Sequence, residues 1–389
     1  MKKSVAARII PYAKQDISES DIAAVVEVLR SDWLTQGPMI ERFEQALCAY
    51  AGVPHATAVC NATSALHLAC RALGCGVGDW VWTSPITFVA SANCALYCGA
   101  LVDFVDIDPD TYNMSVADLA AKLELAEREG RLPKIVIPVH FSGESCDMKS
   151  IAELAHRYGF RIIEDASHAI GGTYDGKKIG CCEYSDIAIF SFHPAKIVTT
   201  GEGGAAVTRD SALHEALQTL RTHGIVRARE RLTTPTEGAW YYEQVDLGYN
   251  YRITDIQAAL GHSQLTRIDE FVARRRKIAA RYDYAFREDP VKVPVLSDRS
   301  AWHLYVVQVA ADRRKEIFGR LRDLGILVNV HYIPVHLQPY YAQLGFRPGM
   351  FPLAEAYYER ALTLPMYASL EQNDQEHVIS CLRSELGRQ

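Results

Sequence analysis

Two stretches, RIIEDASHA at residues 161–169 and DIAIFSFHPAKIVTTGEGGAAVT at residues 186–208, contain three short apolar runs bounded by polar or glycine-rich residues. Runs of four or five residues rich in β-branched side chains are typical of buried strands. Polar side chains follow the first two runs at once, beginning with Asp165 and Ser191, and Lys196 comes soon after. The pattern predicts buried strands with polar groups gathered at one edge of a sheet.

Similar runs recur through the first 250 residues and alternate with segments of helical spacing. The predicted strands are residues 56–60, 80–83, 101–107, 135–139, 161–164, 186–190 and 205–208. The predicted helices between them are residues 64–73, 89–97, 149–158 and 213–223. Strand–helix alternation implies parallel strands, right-handed crossovers and helices on both faces. We therefore predict an α/β fold with a mostly parallel, doubly wound central sheet.

The pattern changes after Tyr251, where apolar positions predict one long helix over residues 254–286. A strand at 303–309, a helix at 314–324 and a strand at 326–331 follow. We predict a large α/β domain over residues 12–250 and a smaller α+β C-terminal domain over residues 251–389.

Composition limits the function classes. The chain has 389 residues, 49% of them hydrophobic, and a net charge of −6, so neither nucleic-acid nor membrane-surface binding is expected. The apolar stretches are too short to span a bilayer, and MKKSVAARII lacks the core of a secretory signal. No pair of C-x-x-C motifs suggests zinc, so we expect no metal site and ten reduced, mostly buried cysteines. These features predict a cytoplasmic protein.

The predicted site lies beyond the carboxyl ends of the strands, where open parallel sheets bind ligands. After the first strand, residues 61–64 (NATS) place small and hydroxyl residues before an apolar helix, which suits a phosphate. Alternatively, Thr63 or Ser64 simply caps that helix. Asp165 and His168 follow a later strand; the simpler alternative is a helix-capping aspartate and a surface histidine.

Together these parts suit pyridoxal phosphate (PLP). Lys196 would bind the aldehyde as a Schiff base, and the backbone N–H groups near Thr63 would bind the phosphate. Asp165 would hold the ring nitrogen protonated, which keeps the ring an electron sink. Phe88, beyond the strand at 80–83, is the candidate for stacking on the ring.

The segments NATSALHLA, EDASHA, SFHPAKIVTTGEGG and DLGYNYRITDIQAALG resemble the sugar aminotransferases of the DegT/DnrJ/EryC1/StrS family. The resemblance covers residues 12 to about 370. It implies a fold-type I aminotransferase, PLP as cofactor, L-glutamate as the usual amino donor, and a homodimer with shared active sites.

The resemblance also assigns roles to individual residues by their position. Lys196 resembles the catalytic, cofactor-binding lysine and Asp165 the partner of the ring nitrogen. The remaining cofactor positions implied are Ala62, Thr63, Phe88, His168, Ser191 and Asn250, the last reaching the partner subunit's phosphate.

A narrower resemblance is carried by residues 10–38, by VDFVDIDPDTYNM and by NVHYIPVHLQPYY. These are similar to the UDP-4-amino-4,6-dideoxy-N-acetyl-β-L-altrosamine transaminases of pseudaminic acid biosynthesis. The substrate would be a UDP-linked 4-keto-6-deoxy sugar that accepts the amine at C4. The implied substrate-binding residues are Tyr12, Asp32, Trp33, Leu34, Thr35, Ala62, Asn329, Val330, His331 and Tyr332.

Three alternatives remain. A sugar dehydratase of the same fold would carry histidine in place of Lys196. A PLP-binding transcriptional regulator would need an added DNA-binding domain. An aminotransferase for another nucleotide-linked keto sugar, a 4-keto epimer or a 3-keto sugar, fits the same motifs. The sequence leaves open the stereochemistry and N-acetylation of the sugar, the preferred amino donor and the destination of the product.

Overall fold

The computed structural model describes residues 9–234, 238–295 and 297–387. Residues 1–8 lie outside that range. The prediction that the N-terminus is not a secretory signal depends on these residues. The described α-helices are α1 (Glu19–Leu29), α2 (Pro38–Ala51), α3 (Ala62–Ala72), α4 (Ala90–Tyr97), α5 (Val116–Glu129), α6 (Met148–Tyr158), α7 (Ser211–Arg221), α8 (Asp255–Leu265), α9 (Ile268–Phe286), α10 (Ala311–Asp323), α11 (Pro339–Ala342), α12 (Pro352–Arg360) and α13 (Gln372–Leu386). Single 3₁₀ turns occur at Phe141–Gly143, Arg229–Arg231 and Val335–Leu337.

The strands are mostly short. They are β1 (Ile10–Pro11), β2 (His55–Val59), β3 (Trp80–Thr83), β4 (Leu101–Phe104), β5 (Ile135–Ile137), β6 (Arg161–Asp165), β7 (Thr173–Tyr174), β8 (Lys177–Lys178), β9 (Ile187–Ser191), β10 (Gly204–Thr208), β11 (Ile225–Val226), β12 (Glu243–Gln244), β13 (Tyr305–Gln308), β14 (Ile326–Leu327) and β15 (Ala361–Leu364).

Seven strands form the central sheet in the order β2-β10-β9-β6-β5-β3-β4. Neighbours from β9 to β4 pair in parallel, whereas β10 is antiparallel to both β2 and β9. No helix lies between β9 and β10, and Phe192 N–H donates to the Gly203 carbonyl at 2.9 Å, so the chain turns back on itself. The predicted fold class is confirmed, and this reversal is why the sheet is mostly rather than wholly parallel.

Both faces of the sheet are buried. Ile187 and Ile189 pack in a core with α3 and α4, whereas Ala188 and Phe190 pack in a second core with α2 and α8. This alternation follows from the two-residue period of a strand. Coverage of both faces explains why the strands read as continuous apolar runs rather than alternating ones.

Two helical details differ from the prediction. Helix α5, which joins β4 to β5, was not predicted. The long helix predicted over residues 254–286 is two helices, because the chain turns at Thr266 and Arg267. The Thr266 hydroxyl donates to the Ser263 carbonyl at 2.7 Å, and Arg267 forms ion pairs with Asp16 and Asp21.

The C-terminal part has a separate core around two small sheets, antiparallel β13–β15 and parallel β1–β14. Residues Ile253 to Val272, however, contribute to the core beneath the central sheet. The domain boundary after residue 250 stays a prediction. None of the described helices is long and apolar enough to cross a membrane.

A buried arginine joins α9 to two segments of this C-terminal part. Arg275 is 2% exposed and has no ion-pair partner among the residues that the structure describes. Its Nη1 donates to the carbonyls of Trp302 (3.2 Å), His303 (3.1 Å) and Met366 (3.0 Å). Burial lowers its pKa to about 10, which still leaves the guanidinium charged at neutral pH.

We predict that Arg275→Met lowers the free energy of unfolding by at least about 3 kcal/mol, because three buried carbonyls lose their donor. The measurement is urea unfolding followed by tryptophan fluorescence. Arg287→Met, at the residue that follows the end of α9, is the control; its exposed ion pair with Glu288 should contribute less than about 1 kcal/mol. Equal effects of the two substitutions would contradict the structural role of Arg275.

Candidate active site

A cavity of about 590 Å³ lies at the carboxyl edge of the central sheet. Twelve of the predicted site residues line it, drawn from seven separate parts of the chain. They are Tyr12, Ala62, Thr63, Phe88, Asp165, His168, Ser191, Lys196, Asn329, Val330, His331 and Tyr332. The volume is ordinary for a site that binds a small molecule.

The first turn of α3 forms one wall of the cavity. Asn61 caps the helix by accepting a hydrogen bond from Ser64 N–H at 2.8 Å, so the alternative cap by Thr63 or Ser64 is wrong. The helix approaches the sheet closely because Gly204 has no side chain: a Cβ there would lie 2.5 Å from the Ala62 nitrogen. The positive end of the helix dipole and the N–H groups of its first turn can therefore bind an anion between Ala62 and Ser191.

Asp165 ends β6 with a buried carboxylate, 5% exposed. Its Oδ2 accepts a hydrogen bond from Ser91 Oγ at 2.6 Å, and its Oδ1 accepts one from Ser167 N–H at 3.1 Å. Thr87 in turn contacts the Ser91 hydroxyl at 2.8 Å. The carboxylate is thus fixed within the cavity rather than exposed as a helix cap.

Lys196 lies in the loop between β9 and β10, held by a turn in which its N–H donates to the His193 carbonyl at 2.8 Å. Its side chain has no ion pair within the described part of the chain. Burial lowers the pKa of the ammonium to about 8, and the negative charge of Asp165 acts in the opposite direction. Much of Lys196 is therefore neutral, and able to act as a nucleophile or base, at mildly alkaline pH.

His168 is 5% exposed, so the alternative of a surface histidine is wrong. Its Nδ1 accepts a hydrogen bond from Ser142 N–H at 3.3 Å, which places the ring proton on Nε2. Nε2 then donates to the Tyr332 hydroxyl at 3.0 Å, and the Tyr332 O–H remains able to donate to a ligand. Burial, and then the nearby charge of Lys196, holds the pKa of His168 well below its ordinary value.

Two more buried imidazoles face the cavity. Burial, and then Lys196, lowers the pKa of His331 to about 3; its Nδ1 contacts the Thr363 hydroxyl at 2.9 Å. His303 lies with its ring centre 4.4 Å from that of His168, and burial also lowers its pKa. His303 Nδ1 has no hydrogen-bond partner in the described chain. The site therefore contains three neutral histidines.

Sequence reasoning missed several lining residues, notably Asn61, Ser91 and His303. Ser91 could have been found, because it lies three residues after Phe88 at the start of a helix that follows a predicted strand. His303 carries no such signal, since it precedes a strand of the C-terminal part and reaches the cavity only through tertiary packing.

Five predicted residues lie outside this cavity. Asp32, Trp33, Leu34 and Thr35 form an exposed loop next to the start of α8, where Asp255 N–H donates to the Leu34 carbonyl at 3.0 Å. Asn250 is exposed and pairs with Thr222. Within a single chain the structure does not bring these residues to Lys196.

Comparisons with known proteins point to one family. The model of the DegT/DnrJ/EryC1/StrS aminotransferase family matches residues 15–383. The chain is 42% identical to the spore coat polysaccharide biosynthesis protein SpsC of Bacillus subtilis over 383 residues, covering 96% of both chains. It is 38% identical to the UDP-4-amino-4,6-dideoxy-N-acetyl-β-L-altrosamine transaminase of Campylobacter jejuni over 385 residues, covering 97% of both.

Solved structures of similar proteins agree with this family assignment. Helicobacter pylori PseC, an aminotransferase involved in the biosynthesis of pseudoaminic acid, matches with a TM-score of 0.89 and 32% identity over 97% of this chain and 99% of that one. The PLP form of Spr1654 from Streptococcus pneumoniae matches with a TM-score of 0.87 and 30% identity over the same shares. These matches confirm the predicted aminotransferase fold.

The geometry predicts how Asp165 and Lys196 influence each other. Because the Asp165 carboxylate favours the charged ammonium, Asp165→Asn should lower the pKa of Lys196 further below about 8. The measurement is the pH dependence of Lys196 acetylation in cofactor-free protein, followed by peptide mass spectrometry. The exposed Lys149 is the internal control and should label with an unchanged profile. An unchanged Lys196 profile in Asp165→Asn would contradict this coupling.

Proposed function

The chain belongs to the DegT/DnrJ/EryC1/StrS aminotransferase family, and from that premise we propose a specific reaction for it. It is a PLP-dependent nucleotide-sugar aminotransferase. We propose that it transfers the amino group of L-glutamate to C4 of UDP-2-acetamido-2,6-dideoxy-β-L-arabino-hex-4-ulose in pseudaminic acid biosynthesis, in the cytoplasm. The observation that carries the proposal is Lys196 beside a buried carboxylate, in a chain 38% identical to a transaminase named for this chemistry.

The residues of the cavity fit PLP. The first turn of α3 and the Ser191 hydroxyl would hold its phosphate, and Asp165 would face its ring nitrogen. Lys196 would bind its aldehyde, Phe88 would lie against the ring, and His168 would lie near the phenolic oxygen. When bound, PLP supplies an electron-withdrawing ring that stabilises negative charge at the carbon losing its proton.

The protein's own groups account for the proton transfers. Lys196, with a pKa of about 8, would take the proton from the α-carbon of glutamate while it is the neutral amine. As the ammonium it would then donate that proton to the former aldehyde carbon of the cofactor. The reverse sequence would deliver a proton to C4 of the sugar. Asp165 stays fixed by Ser91 and Ser167, so its charge needs no rearrangement during the reaction.

The sugar nucleotide would enter past Tyr12 and residues 329–332. The Tyr12 and His331 rings lie 5.3 Å apart, and Asn329 and Tyr332 offer polar groups to a uracil or a sugar. Ala62 would contact both cofactor and substrate. In the homodimer that we propose, the exposed Asn250 would bind the phosphate in the partner subunit, and loop residues 32–35 would contact the sugar nucleotide there.

A second candidate is an aminotransferase for a different nucleotide-linked keto sugar. The chain is 42% identical to a relative named for spore coat polysaccharide biosynthesis, compared with 38% to the altrosamine transaminase, and this favours the second candidate as an alternative. The loops that would contact the sugar are peripheral to the chemistry, so they can change with the substrate while Lys196 and Asp165 stay.

The test is a substrate panel. Purified protein with L-glutamate should convert the proposed UDP-4-keto sugar more efficiently than its 4-keto epimer or a 3-keto sugar, with product mass and NMR as the readout. Lys196→Ala is the control and should abolish turnover and the borohydride-reducible link between protein and cofactor. Preferred conversion of another sugar would support the second candidate, and activity of Lys196→Ala would contradict the assigned role.

Mixed dimers test the shared site. Asn250→Ala should weaken PLP affinity by about 10- to 100-fold, since an amide donor to a phosphate dianion is worth roughly 1.5–3 kcal/mol. The decisive experiment uses heterodimers of one Lys196→Ala chain with one Asn250→Ala chain. If Asn250 contacts the phosphate in the partner subunit, both substitutions affect the same site, and the other site stays intact with about half the activity. If Asn250 contacts the phosphate in its own chain, each site carries one substitution and no site is intact. Activity well below half, at subsaturating PLP, would contradict the shared site.

A further inference from the structure

His303 is a buried polar residue in the wall of the active-site cavity. Its side chain is 3% exposed, and its Nδ1 has no hydrogen-bond partner among the residues that the structure describes. Burying an unpaired polar atom destabilises a protein, and an apolar side chain of similar size would avoid that cost. A buried polar group of this kind calls for an explanation, and in a cavity wall the explanation is a role in binding.

Hydrogen bonds fix the segment around His303 to the turn at residues 141–143. The Ser142 hydroxyl donates to the Leu304 carbonyl at 2.6 Å, and Leu304 N–H donates back to the Ser142 carbonyl at 3.2 Å. Ser142 also donates its own N–H to His168 Nδ1 at 3.3 Å. A single turn therefore positions both imidazoles, whose ring centres lie 4.4 Å apart.

The backbone before His303 is held in an unfavourable conformation. Trp302 has a φ of 51°, in the left-handed region that a bulky side chain rarely adopts. Arg275 holds this segment in place, because its Nη1 donates to the carbonyls of Trp302 and His303 at 3.2 and 3.1 Å. Strained backbone that the surrounding structure maintains is concentrated at functional sites. A buried guanidinium and a strained residue thus keep His303 in the cavity wall.

The ring of His303 is a neutral hydrogen-bond donor. Burial, and then proximity to His168 and Lys196, hold its pKa well below the ordinary value. Because a buried N–H without an acceptor is rarer than an acceptor without a donor, the ring proton lies on Nε2 rather than on Nδ1. The described lining of the cavity contains no arginine, so a carboxylate bound near Lys196 needs uncharged donors such as this one.

We propose that His303 binds the α-carboxylate of the amino donor through its Nε2–H. The proposal rests on the amino donor of the proposed function. The α-carboxylate is attached to the carbon from which Lys196 would take the proton, so it lies on the part of the donor nearest Lys196. Among the three cavity imidazoles, Nδ1 of His168 and Nδ1 of His331 have hydrogen-bond partners within the chain, whereas Nδ1 of His303 has none in the described residues.

A neutral donor also suits the order of events. A hydrogen bond from an imidazole holds a carboxylate less tightly than a bidentate guanidinium does. The oxo acid formed from the donor can therefore leave the cavity before the sugar nucleotide enters.

Matched variants test the contact. His303→Met and His303→Gln have side chains of similar size, but only glutamine offers an N–H. The probe is (S)-2-methylglutamate, which has no α-hydrogen to lose, and its dissociation constant is measured from the absorbance of the PLP-loaded protein. His303→Met should weaken its binding by about 10- to 100-fold, and His303→Gln by less. His156→Gln, at an exposed histidine of α6, is the control and should bind it like the unchanged protein.

Two further measurements separate binding from packing. 4-Aminobutyrate, which is glutamate without its α-carboxylate, should bind equally to the unchanged protein and to His303→Met. Without ligand, His303→Met should unfold at the same temperature as the unchanged protein or at a higher one, because an unpaired buried polar atom is removed.

The proposal would be overturned if His303→Met bound (S)-2-methylglutamate as well as the unchanged protein does, or lost 4-aminobutyrate binding to the same extent. A lower unfolding temperature with unchanged binding would show a structural role instead. Failure of the unchanged protein to bind either compound would contradict the amino donor of the proposed function, and the role of His303 with it. Normal binding by the unchanged protein makes the variants a test of His303 alone.

Discussion

The buried carboxylate of Asp165 is the constraint around which the active site is built. A carboxylate without an ion pair is costly to bury unless hydrogen bonds replace its lost water. Ser91 and Ser167 provide those bonds, and the nearby Lys196 side chain gains charge stabilisation in return. The site therefore forms only if three elements, β6, α4 and the loop after β9, keep their positions relative to one another.

The course of the backbone at β10 makes this arrangement possible. Reversal of β10 brings Gly204 beside Ser191, and the missing side chain lets α3 approach the sheet within contact of Ala62. The loop that makes the reversal also carries Lys196. The reversal of β10 therefore places the predicted phosphate site next to Lys196. The same reversal is the one departure from a wholly parallel sheet.

Burial also sets the charge state of the cavity. His168, His303 and His331 come from different parts of the chain, and burial lowers the pKa of each. Lys196 is then the main cationic group of the lining residues, and its own pKa is lowered to about 8. An enclosed lining of neutral imidazoles suits a lysine that must alternate between amine and ammonium near neutral pH.

Local patterns along the chain predicted the central strands, most helices between them and the residues that follow each strand, because strand period, helical spacing and loop chemistry are local. Motifs around Lys196 and Asp165 also indicated the family. The folded structure was needed to show the direction of β10, the break at Thr266, and the presence of Ser91 and His303 in the cavity. Those depend on contacts between residues far apart in the chain, which no local pattern encodes. For the same reason Asn250 and residues 32–35 resemble site residues in sequence yet lie outside this cavity in a single chain.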